Sequence, residues 1–131
     1  MALLDDVGAA LTTAGLVGGA TGWKLYFGHL FDEPGADEAV CLYETPGEMP
    51  EQAWAIDRPG LQVRVRGAPN GYQDARAKLQ AIFELLHDGD ASVGGGMVFL
   101  YCAQSGPTPL GNDEKFRPHM SQRYYSMRDR P

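Results

Sequence analysis

Between residues 57 and 67 the chain alternates strictly, and immediately afterwards its apolar period changes from two to that of a helix. Leu61, Val63 and Val65 fall on one side of an extended backbone, and Gln62, Arg64 and Arg66 on the other. That is the signature of a strand with one buried face. Pro59-Gly60 turns the chain into the strand and Gly67-Ala68-Pro69 stops it. From 71 to 87, Tyr72, Ala75, Leu79, Ile82 and Leu86 recur at helical spacing. Asn70 stands as the cap, with Gln73 in the capping-box position, Asp74 and Lys78 as an i,i+4 pair, and Gly89 as the stop. A half-buried strand feeding a helix with one apolar stripe requires a sheet with helices packed on it. The cationic face of that strand is left to be explained.

A chain of 131 residues supports one hydrophobic core, so residues 1–131 read as a single domain. Seventeen acids against eleven Lys and Arg give a net charge of -6, which excludes a free nucleic-acid binder that tracks phosphates. Nucleic acid passing close by would be repelled. The sequence contains no twenty-residue apolar run, so no membrane span is expected. Asp5 and Asp6 stand where a secretory signal would be basic, which points to synthesis in the cytosol. Cys41 and Cys102 lie in apolar runs and read as reduced core cysteines.

Along the chain, 2–14 reads as a first helix, with Leu4, Val7, Leu11 and Ala14 on one face and Gly15 as its stop. Gly8 inside it costs about 1 kcal/mol relative to Ala, so packing must hold this helix. A small-residue connection, 15–22, leads to a strand at 23–31 with Trp23, Leu25, Phe27, His29 and Phe31 on one face. An acidic turn, 32–38, then leads to a short strand at 39–44, and the two strands resemble a hairpin. Residues 45–58 read as loop, 97–103 as a central strand, 104–112 as loop and 116–125 as the last strand. Pro118 demotes the first half of that strand to an edge or bulge, and 126–131 reads as a tail that is flexible or ordered only by a partner. The fold class is α+β: an antiparallel-rich sheet of four to five strands with two helices packed on one face.

Chemistry is sparse. His29, His87 and His119 are far apart and show no zinc spacing, and no nucleophile elbow is present. The run Gly94-Gly95-Gly96 lacks the lysine and helix of a phosphate loop. No cofactor or metal is expected. Asp113, Glu114, Arg117 and His119 form the densest polar cluster. A hydrolase would use one acid as general base and Arg117 as an anion clamp, but no nucleophile or metal stands beside them. The reading preferred is a loop whose charges pair with another surface. Arg64 and Arg66 share a strand face, while Arg117, Arg123, Arg128 and Arg130 crowd the C-terminal end. Acids gather at 32–38 and 44–57. On a monomer these would be ordinary solvated charges; segregated in this way they also suit head-to-tail association of copies, which makes a ring if it closes.

Three features together resemble the tail terminator proteins of long, flexible-tailed bacteriophages, also described as tail-completion or minor capsid proteins. They are the stretch 58–67, the helix directly after it, and the stretch 109–118 with Asn112-Asp113-Glu114-Lys115 before a final strand. The resemblance implies a structural virion protein and no enzyme. It implies a hexameric ring of copies of this chain at the head-proximal end of the tail tube, the head–tail joint. That ring would end tail polymerisation and offer a docking surface to the head connector. Its partners would be itself, the tail tube protein and the head–tail connector or stopper, with genomic DNA passing through the channel without specific binding. Arg64, Arg66, Asp113, Glu114 and Arg117 then become interface candidates, joined by Arg123 from the charge pattern. The alternatives are a head–tail stopper or adaptor on the portal side, or a small α+β ligand-binding domain or hydrolase using the 113–119 cluster.

Overall fold

The computed structural model describes residues 3–51, 56–87, 98–102 and 106–129. The order is α1 (Leu3–Thr13), a short 3-10 turn (Gly19–Thr21), β1 (Lys24–Phe27), β2 (Ala39–Glu51), β3 (Ile56–Arg66), α2 (Tyr72–Leu86), β4 (Val98–Cys102), β5 (Thr108–Asn112) and β6 (Pro118–Asp129). This is the expected α+β class, with six strands in one mixed sheet ordered β1-β2-β3-β6-β4 and β5 also paired to β6. Gly89, the glycine run 94–96, Arg130 and the side chains of Cys102 and Arg128 lie outside the described residues. No described helix is long and apolar enough to cross a membrane.

The alternating strand forms the centre of the core. Leu61, Val63 and Val65 are fully buried, between Val40 and Leu42 of β2 and Met120 and Tyr124 of β6. Ala75, Leu79, Ile82 and Leu86 of α2, with Leu3, Val7 and Leu11 of α1, cover this same face. Tyr72, expected in the buried stripe, is exposed. The helix cost of Gly8 has its reason in packing: a Cβ there would stand 2.8 Å from the ring of Phe27.

Five expectations are corrected. β1 and β2 are parallel, Lys24 opposite Ala39 and Phe27 opposite Leu42, so they are no hairpin. The connection 28–38 must therefore run back the length of β1, because parallel neighbours need a crossover. The loop expected at 45–58 is largely strand: β2 and β3 stay paired through Glu51 and Ile56, with register breaks between Thr45, Glu48 and Glu51. Pro46, Gly47 and Pro50 fall in those breaks, where a missing donor or side chain is tolerated. Residues 108–112, expected as loop, are β5. Pro118 opens β6 without making an edge of it, since β3 lies on one side and β5 on the other; as first residue its absent N–H leaves no gap. β6 continues past Tyr125 to Asp129, paired with both β3 and β4, and so takes in the start of the segment expected as a tail.

Asn70 does not cap α2. The N-cap is Gly71 without a side-chain bond, and Asn70 turns left-handed at φ 60°. The same junction depends on Gly67, where a Cβ would meet Gly71 O at 2.9 Å, Ala75 Cβ at 3.0 Å and Pro118 Cγ at 3.1 Å. Gly67→Ala is therefore expected to cost about 1–3 kcal/mol by overpacking, read as a lower urea midpoint at unchanged m-value. A loss below a few tenths would show that the β3–α2 junction has slack.

Candidate functional site

Because Leu61, Val63 and Val65 face the helices, Arg64 and Arg66 project from the opposite face of the sheet. Solvent does not meet Arg66 there. The crossover 28–38 passes over it and leaves it 2% exposed. Its guanidinium donates to three loop carbonyls: Nε to Asp37 O at 2.7 Å, Nη1 to Phe31 O at 2.9 Å and Nη2 to Ala36 O at 2.7 Å. The rigid five-donor fork suits this task, and lysine could not span three diverging acceptors. The cationic strand face is thus the fastening of a loop.

One strand over, the turn 113–117 builds the other half. Asp113 Oδ1 accepts the backbone N–H of Lys115 at 2.9 Å and of Arg117 at 3.1 Å, an Asx-type turn. Asp113 Oδ2 accepts Arg117 Nε at 2.8 Å and contacts His119 Nε2 at 3.1 Å. Buried Arg117 also reaches the acidic loop, with Nη1 at 3.0 Å from Asp32 and 3.3 Å from Asp37. Lys115 Nζ adds a surface pair with Asp32 at 3.1 Å. Asp32 and Asp37 of the acidic run thus pair with Lys115 and Arg117 within one chain.

His119 joins the two halves. Arg64 Nη2 lies 3.2 Å from its Nδ1. A guanidinium only donates, so Nδ1 must accept, and the proton of the neutral ring sits on Nε2, pointing at Asp113. Burial pushes the imidazole below its ordinary pKa; Asp113 opposes this, while Arg64 and Arg66 add to it. Burial alone would raise Asp113, but the bonds from His119, the Arg117 and Lys115 backbones and the Arg117 side chain hold it well below the usual carboxylate range. For Arg117, burial works against the charged form, and the bonds from Asp32 and Asp113 outweigh it and raise its pKa.

This arrangement is built to hold, and it is poorly suited to react. A general base should titrate near the working pH, whereas Asp113 is far too acidic and both ring nitrogens of His119 are occupied. An open depression of about 460 Å³ adjoins the network, lined by Asp32, Asn112, Asp113, Glu114, Lys115 and Arg117, none of them a nucleophilic hydroxyl or thiol. Among the described residues no group of three His, Cys, Asp or Glu side chains could hold a metal. Of the six residues singled out in the sequence, Arg64, Arg66, Asp113 and Arg117 come together. Glu114 stands exposed at the rim, and Arg123 is exposed two rows along the sheet, opposite Gln62. In the sequence Asp32 and Asp37 stand only as part of an acidic run, and Lys115 only within a motif. The segregation of acids at 32–38 from cations at 115–117 is the one signal of their pairing.

Comparison with known proteins gives the family and the fold. The family model described as bacteriophage tail terminator protein matches residues 10–126. Among solved structures, a chain from the virion of a native gene transfer agent particle superposes with a TM-score of 0.70 at 18% identity, covering 97% of this chain and 94% of that one. At that identity the likeness speaks for the fold. No curated protein matches. With the family model spanning nearly the whole fold, including the 113–119 network, this chain belongs to the bacteriophage tail terminator family.

Proposed function

We propose that this protein acts as a hexameric ring at the head-proximal end of the tail tube, ending tube growth and presenting a surface to the head connector. The observation that supports this most is the fastening of the crossover 28–38 to turn 113–117 by Arg66, Arg117 and Asp113. It spends the densest polar cluster of the described residues on shape, leaving a rigid surface and no poised reactive group within that cluster. Ending polymerisation requires only such a surface: one side matches the tube end, the other offers further tube subunits nothing to bind. The interface residues then come from exposed positions, Glu114 and Arg123 among the candidates, while Arg64, Arg66, Asp113 and Arg117 act as their support. Six subunits of net charge -6 carry -36 formally, so DNA moving through the channel meets repulsion in place of sticky phosphate contacts. The working location is the head–tail joint of the virion, after synthesis in the bacterial cytoplasm.

Electron microscopy of particles assembled without this protein tests the reading. Tails of uncontrolled length and heads without tails are expected. Normal joined virions would refute termination, and normal-length tails that fail only to join would favour a connector role.

A further inference from the structure

Phe116 is the most exposed large apolar side chain among the described residues, at 64%. It is held at φ 60°, a left-handed conformation that a bulky residue rarely adopts. Hydrogen bonds fix it there: its N–H donates to Asp113 O at 3.0 Å, and its carbonyl accepts from Asn70 N, itself left-handed, at 2.9 Å. Glycine or asparagine would suit that backbone better, so the ring is presented to solvent against local preference. Such strain points to a functional position.

A second surface, distinct from this turn, could receive it. Trp23 precedes edge strand β1, whereas Phe116 sits in the turn joining edge strand β5 to β6. Trp23, with Ala77 and Ala81 one turn apart on α2, lines an open depression of about 400 Å³. Its polar lining is Glu38, Asp74 and Lys78. Lys78 is already engaged, donating to Leu16 O at 2.8 Å and lying 4.9 Å from the centre of the Trp23 ring. Two carboxylates and one ammonium still give this lining a net charge of -1; burial and then neighbouring Asp74 push the Glu38 carboxyl above its ordinary pKa, and Lys78 opposes them. Next to Phe116 in sequence stands Lys115, whose bond to Asp32 joins side chains 57% and 51% exposed. A surface pair of that kind exchanges at little cost.

We propose that Phe116 of one copy enters the Trp23–Ala77–Ala81 depression of the next, with Lys115 moving to its acidic rim. This contact rests on the ring reading above and deepens it. It is heterologous, joining two different surfaces of the subunit, the kind of contact that makes a ring where its rotation closes. An aromatic anchor seated in a pocket and flanked by charge is also the usual form of an interface hot spot.

Sedimentation velocity and native mass spectrometry of wild type, F116G, A77R and their mixture test it, each alone and with purified tail tubes. F116G should melt no lower than wild type, since glycine relieves the backbone, yet need at least ~10-fold more protein to assemble. A77R, at an exposed helix position, should behave likewise and carries the test by itself should F116G unfold. F116G keeps the depression and A77R keeps the ring, so their mixture should give heterodimers that neither forms alone. Variants that assemble at the wild-type concentration overturn this contact and leave the ring reading standing. Wild type that stays monomeric even on tube ends overturns both.

Discussion

Arg66→Ala is expected to lower the unfolding free energy by about 3–5 kcal/mol, the largest single loss anticipated for a polar residue in this chain. The guanidinium is buried and donates to the carbonyls of Phe31, Ala36 and Asp37, which closing loop would deny to water. Each carbonyl left unsatisfied costs about 1–3 kcal/mol, and the missing side chain leaves a void beneath the crossover. Urea unfolding gives the loss, and amide exchange in 28–38 shows whether the loop has come away. Arg66→Met separates the two causes, because it restores volume without donors. If methionine recovers most of the stability, packing dominates and the hydrogen-bond account fails. Arg66→Lys should recover only part, since one ammonium cannot serve three separated acceptors.

Asp113→Ala is expected to cost about 2–3 kcal/mol, because it removes the acceptor of four donors at once. Arg117 keeps Asp32 and Asp37, which sets the loss below that of a stranded buried charge. The pH dependence carries a second signature. Asp113 has a depressed folded pKa, so its contribution is present above the unfolded value of about 3.9 and disappears as pH falls through the folded value. His119 is depressed as well, so its contribution is present above about 6.5 and drains away as pH falls towards its folded pKa. Stability should therefore decline on acidification in two windows, one opening near pH 6.5 and one below pH 4. Asp113→Asn should shrink the lower window to the part left by Asp32, whose carboxyl is also held below its ordinary pKa by bonds from Arg117 and Lys115. It should also deepen the upper one, because His119 loses the carboxylate that opposes Arg64 and Arg66. Nitrogen NMR of His119 at neutral pH should find the proton on Nε2, and an imidazolium there would contradict the network as described.

On the proposed function these positions act through shape. If that reading holds and the network only holds the loop, Arg66→Lys virions should show mild tail-length defects at low temperature and severe ones when warmed. A catalytic site would behave differently: Asp113→Asn would abolish activity at every temperature while particles stayed normal.

Much of this protein follows from local pattern. The alternation at 61–66 and the helical stripe from Ala75 to Leu86 locate β3, α2 and the core between them, because side-chain period is a property of a single segment. The α+β class rests largely on the same two elements, and the family likeness on these together with the stretch 109–118. What the pattern could not contain is which segment covers the second face of the sheet. Alternation reports that two faces differ, and says nothing of whether the polar one meets water. That was decided when β1 paired parallel to β2, a choice made between segments, which obliged residues 28–38 to cross the sheet and bury Arg66. The strand character of 108–112 and 45–51 was settled the same way, since β6 and β3 supply the partners for backbones whose own prolines and glycines argue for loop. The sequence by itself determined the core and the elements that enclose it; the tertiary structure decided that its arginines fasten a loop, because burial of a charge depends on what packs over it.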